Sequence, residues 1–215
     1  MLTATYTLVA LSVEQTKVRN SLQSLQDLLR ANLAHQSTLS AGQISSAVDT
    51  VRRLYDSCHW RKIDMFLVPA IRNATDQANA LLRELDDLAR TAADAVGHTA
   101  VRVGAAALDT PAAVRQFCDA IDTFCSASLR RLEREEHDLF PVARAVISGE
   151  AWFSIANKMM AHDAYVQDCK HTRQLSTPQQ SARSVGASTA MEGTARRESA
   201  PSSEGELAAL AHLTV

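Results

Sequence analysis

Apolar residues recur at intervals of three and four across most of residues 7–168, and no other feature constrains the chain as much. That spacing lines up one face of an α-helix, so the chain has to bury several helical stripes against one another. In residues 7–34 the stripe is Leu11, Gln15, Val18, Leu22, Leu25 and Leu29. A second helix opens at Ser40, with Gln43 three residues on, the pattern of a reciprocal N-terminal cap. Its stripe is Ile44, Val48, Val51, Tyr55 and Cys58, with Met65 and Phe66 beyond His59. Pro69 is expected to end or kink it, because proline cannot donate the helix hydrogen bond. A third helix, residues 75–98, carries Leu81, Leu85, Leu88, Ala92 and Val96, with Gly97 as its stop; residues 98–108 read equally as helix or loop.

Asp109-Thr110-Pro111 opens the fourth helix, a cap followed by proline in the first turn. Val114, Phe117, Cys118, Ile121, Phe124, Cys125 and Leu132 follow at helical spacing and lead into Glu135, Glu136, Leu139 and Phe140. Pro141 is expected to interrupt this stripe. A shorter fifth helix, residues 150–168, carries Trp152, Ile155, Ala156, Met159 and Met160. With only 7 Gly and 5 Pro in 215 residues, helices are favoured over a turn-rich sheet. The expectation is an all-α fold: an antiparallel four-helix bundle over residues 5–168 with a short extra C-terminal helix. Residues 172–215 are rich in Ser, Ala and Gly and hold too few large apolar side chains to offset chain entropy, so they read as a disordered tail. The last residues, from Gly205 to Val215, form a weakly amphipathic end.

The formal charge is −2 with both signs interspersed, so no basic stripe points to nucleic acid. No apolar run approaches the about 20 residues of a membrane helix. The apolar start lacks a basic segment and a cleavage site, and reads as the approach to a helix rather than a leader. Cys58, Cys118, Cys125 and Cys169 form no Cys-x-x-Cys pair and read as reduced thiols, placing the protein in the cytoplasm.

Chemistry is expected where polar residues fall on apolar stripes, since burying them is costly unless they are paired or bind a metal. Gln15, the pair Cys58-His59 and the pair Glu135-Glu136 qualify. A histidine and carboxylates from different helices suit iron, manganese or zinc. The plainer alternatives stand beside this: Gln15 hydrogen-bonds a neighbouring helix, His59 is a satisfied boundary residue, and Glu135-Glu136 belong to the charged run from Arg130. His98, His137, His162 and His171 read as surface residues, His162-Asp163 being closest to the apolar side.

The run Glu135-Glu136-His137-Asp138-Leu139-Phe140-Pro141, followed by Trp152 in the last helix, resembles the bacterial hemerythrin-like (HHE cation-binding) family. The segment Cys58-His59-Trp60-Arg61-Lys62-Ile63-Asp64-Met65-Phe66-Leu67-Val68-Pro69 is similar to that family's first copy of the element. The resemblance covers residues 5–168. It implies a four-helix bundle around a non-haem di-iron centre, used in oxygen, nitric oxide or redox sensing, iron handling or damage repair. By this resemblance His59, Asp64 and Glu135 or Glu136 are the surviving metal ligands. Gln15, Cys58 and Leu88 stand where the family places histidines, and Arg131 or Leu132 where it places another. The cofactor implied is therefore none, or iron in a weakened site. The leading expectation is a regulatory or interaction module rather than an enzyme, with a protein partner of unknown kind. A working iron protein that binds oxygen or nitric oxide would need further ligands such as His162 or Asp163. A histidine phosphotransfer bundle would need a Leu-Lys-Gly run after a histidine, and none is present.

Overall fold

The computed structural model describes residues 2–59, 61–101 and 107–175. These residues are mostly helical, in five stretches. The first is α1 (Leu2–Leu28), which runs on through a wider, π-helical turn at Leu29–Leu33. It starts five residues earlier than its stripe implied, because Ala4 continues the buried face one turn ahead of Leu8. Next come α2 (Ala41–His59), a π-helical turn at Ile63–Leu67, and α3 (Val68–Ala74). The third stretch is α4 (Asn79–Val101). The fourth is α5 (Pro111–Arg134), a π-helical turn at Glu135–Leu139, and α6 (Phe140–Val146). The last is α7 (Gly149–Leu175). Two residues of strand, β1 (Leu39–Ser40) and β2 (Ala107–Leu108), pair antiparallel, Leu39 with Leu108. Both leucines are buried, so this small ladder clasps the approaches to α2 and α5.

The caps form as the sequence implies. Ser40 N–H donates to Gln43 Oε1 at 3.0 Å, and Gln43 N–H donates back to Ser40 Oγ at 3.3 Å. At the head of α5, Ala113 N–H donates to Thr110 Oγ1 at 3.2 Å. The prolines behave differently from expectation. Pro69 and Pro141 neither end nor break their stretches. Each lies in the first turn of the segment that follows a widened turn, where a missing N–H forfeits little. Gly97 does not stop α4 either, since one glycine costs a helix only about 1 kcal/mol.

Two expectations about the C-terminal region need correction. The last helix is not short: α7 has 27 residues. Its apolar pattern fades after Met159, but the helix continues to Leu175. The tail expected from residue 172 is accordingly helical as far as Leu175, and residues 176–215 lie outside the described part. Among the described residues no helix is long and apolar enough to cross a membrane.

The core is divided in two. One lobe holds Val18, Leu22 and Leu25 of α1, Val48 and Val51 of α2, and Phe117, Ile121 and Phe124 of α5. The other holds Leu8 and Leu11 of α1, Ile63, Leu67 and Ile71, Leu82 and Leu85 of α4, Leu139 and Phe140, and Trp152 and Ile155 of α7. Between the lobes four of the stretches spend about one turn on other residues. These are Gln15 on α1, Cys58 on α2 and Arg61 just after it, Leu88 on α4, and Glu135 after α5. A polar layer is thus held at mid-height between two apolar ones.

Candidate functional site

Glu135 is the centre of that layer. It lies one turn beyond buried Leu132 and is 0% exposed. An isolated carboxylate there would be strongly disfavoured, so it must be matched. Arg61 matches it. The guanidinium is 2% exposed and clasps the carboxylate from two nitrogens: Nη1 donates to Oε2 at 2.6 Å and Nη2 to Oε1 at 2.5 Å. Its third nitrogen is also used, with Nε donating to the Cys58 carbonyl at 2.9 Å. Gln15, itself 0% exposed, donates from Nε2 to Glu135 Oε2 at 2.8 Å. Arg131 approaches from one turn before, with Nε 3.1 Å from Glu135 Oε1, and its Nη2 donates to Asp64. Asp64 also lies 3.6 Å from Arg61 Nη2. Two guanidinium groups and two carboxylates from different stretches therefore close on each other.

The adjacent glutamates part company. Glu136 points outward and accepts from Arg19 Nη2 at 2.6 Å, with both side chains partly exposed. The residues singled out by sequence thus fall into distinct places. Gln15, Asp64, Arg131 and Glu135 come together, and Glu136 stays apart. Cys58, Leu88, Arg131 and Leu132 line a small cavity beside Arg61, with Tyr55 and Ser128. The backbone of His59 ends α2, and its side chain lies outside the described residues. The second-choice ligands are engaged elsewhere: the His162 ring packs edge-on against Phe66, and Asp163 accepts from Lys62 Nζ at 2.9 Å. His98, His137 and His171 are exposed, as expected.

Arg61 is the residue that sequence reasoning missed. Its signal was present: Tyr55 and Cys58 are three apart, and one further step of three lands on Arg61. A buried carboxylate on one stripe requires a cation on another, and Arg61 is that cation.

Electrostatics follow the geometry. Burial works against the charged form of Arg61, but the charge and hydrogen bonds of Glu135 outweigh it and hold the guanidinium above its ordinary pKa. Burial raises the Asp64 carboxyl, and Arg131 and Arg61 only partly offset this. Burial pushes the Cys58 thiol up to about 11 against the pull of the same two arginines.

The donor set can be tested against a metal centre. Arginine offers no lone pair, and a guanidinium beside a site repels a cation. Both oxygens of Glu135 already accept from nitrogen, and Asp64 accepts from Arg131. Among the described residues no group of three or more His, Cys, Asp or Glu is arranged to hold a metal ion. The described residues do not fit a di-iron centre.

The thiols give a measurable consequence. All four cysteines are free, Cys118 and Cys125 are buried, and Cys169 lies partly exposed on α7. Burial raises Cys118 to about 11, assisted by Asp119. Burial, with Asp122 and Cys58, raises Cys125 to about 12. At neutral pH a chromogenic disulfide reagent should therefore titrate Cys169 first and Cys58, also partly exposed but with a raised pKa, far more slowly, Cys118 and Cys125 reacting only as the protein unfolds. Cys58, Cys118 and Cys125 each titrate in the folded protein above the 9.0 of an ordinary thiol, so their contribution to stability is complete below that pH. It is lost as the pH rises through about 11 to about 12, the folded values. Rapid reaction of three or four thiols in the native protein would contradict this packing.

No family model, curated protein or solved structure matches this chain in the three comparisons made.

Proposed function

We propose that the chain is a hemerythrin-like four-helix bundle, with α7 as an added helix, whose interior no longer runs on metal, and that it serves as a regulatory or interaction module rather than an enzyme. The observation that carries this reading is the two-pronged clasp of Glu135 by Arg61, both nearly or fully buried. A carboxylate whose two oxygens are already saturated by nitrogen donors offers a metal no open position. Among the described residues no group of three or more His, Cys, Asp or Glu stands ready to hold the iron that a sensor of a diatomic ligand requires. What the fold then presents to the cell is its surface and its state of folding, which suits regulation by contact. Four unpaired cysteines agree with a reducing compartment such as the cytoplasm.

Metal analysis of full-length protein from cells grown with added iron tests the reading. The expected result is a colourless protein with iron far below one atom per chain and no absorption band that responds to oxygen or nitric oxide. Two firmly held irons per chain would refute it and support instead the working iron protein.

A further inference from the structure

We propose that the mid-height layer is a cation site filled by the protein's own Arg61, and that it is shaped for a guanidinium monocation rather than a divalent metal. This rests on the metal-free reading of the interior and gives that reading a specific chemistry.

Three observations carry it. The first is shape. The acceptors around Arg61 are Glu135 Oε1, Glu135 Oε2 and the Cys58 carbonyl, at 2.5, 2.6 and 2.9 Å from Nη2, Nη1 and Nε. They meet two edges of one flat guanidinium, the fork geometry that distinguishes it from an ammonium or a spherical ion. The second is charge. Arg61 and Arg131 carry two positive charges, Glu135 and Asp64 two negative ones, and the ion pairs among them sum to zero. Without the Arg61 side chain the remaining three groups sum to minus one. A monocation restores neutrality. A divalent ion would leave an excess positive charge in the interior, next to the Arg131 guanidinium, and such excess is costly to bury. The third is space. The cavity lined by Cys58, Arg61, Leu88, Ala92, Ser128 and Arg131 lies against the guanidinium, so truncating Arg61 enlarges a void that already exists. Gln15 Oε1 is a further buried acceptor at the same level and has no hydrogen-bond partner.

The site is therefore complete without an external ligand in the native chain, and becomes a receptor for one when Arg61 is shortened. The test is Arg61→Ala in the full chain, followed by thermal unfolding with guanidinium chloride at millimolar concentrations, well below those that denature. Sodium chloride and urea serve as controls, and manganese and zinc chlorides are added separately. The variant is expected to melt well below the native protein, and guanidinium to raise its Tm saturably by about 5 °C. The native protein should show no rise, and neither metal should stabilise the variant. If Arg61→Ala does not fold unaided, its refolding yield from urea with and without guanidinium gives the same readout, a gain supporting the proposal. No gain with guanidinium overturns the cation site while leaving the metal-free reading of the native protein intact. A larger gain with manganese or zinc overturns the proposed selectivity. Iron bound by the native protein would instead defeat the underlying reading.

Discussion

Truncating Glu135 to alanine should lower the unfolding free energy by about 3–5 kcal/mol, because it leaves Arg61 buried without its counter-charge. Arg61 is 2% exposed, so its guanidinium would stay largely out of water. Asp64, 3.6 Å away, is partly exposed and already shared with Arg131, so it replaces only a fraction of the lost pairing. Chemical denaturation with unchanged m-value is the measurement. The informative companion is the double replacement Arg61→Met with Glu135→Leu. Removing both charges removes both desolvation costs, and this variant should recover to within about 1 kcal/mol of the native protein or exceed it. The cycle formed by the two single variants and the double gives the coupling directly. A Glu135→Ala variant as stable as the native chain would mean that the two side chains do not meet in the interior.

The second large effect is expected at Phe124. It is 0% exposed in the lobe of α1, α2 and α5, and its ring lies 6.5 Å from that of Tyr55. Phe124→Ala should cost about 3–5 kcal/mol, from lost transfer energy and from a cavity that rigid helices on several sides cannot close. Phe153 provides the control. It is 61% exposed on α7, and Phe153→Ala should change stability by no more than about 0.5 kcal/mol. Equal losses at the two positions, read as shifts of the urea midpoint, would contradict the burial assigned to α5.

The helical stretches were legible because burial and period coincide. Leu11, Val18, Leu22, Leu25 and Leu29 all lie on one inward face of α1. Ser40 with Gln43, and Thr110 with Pro111, were readable as caps because their bonds reach only three residues. The length of α7 was not readable, since the apolar spacing of its sequence weakens beyond Met159. Met160, placed on its stripe by spacing, is 63% exposed. The candidate site was half legible. Gln15 and Glu135 announce themselves as polar residues on apolar faces. Which of Glu135 and Glu136 turns inward, however, depends on the phase of the π-helical turn that begins there, and no local composition encodes it. Arg61 was hidden for a related reason: long cationic side chains usually reach solvent, and only the three-dimensional neighbourhood shows that this one reaches inward.

The wide turns at Ile63–Leu67 and Glu135–Leu139 each hold one residue more than an α-turn would need. An added residue advances everything downstream by about 100° around the helix axis. Glu135 opens the second of these turns facing the charged layer, and Leu139, Phe140 and Ala143 at its end and beyond it are buried in the apolar one. Deleting a single residue from either turn would swing α3 or α6 by that angle, carrying Ile71 or Ala143 away from the lobe they fill. The step from a charged layer to the greasy layer beneath it thus coincides with a surplus of one peptide unit in each of these two rods, and the register of α3 and α6 is tied to keeping that unit.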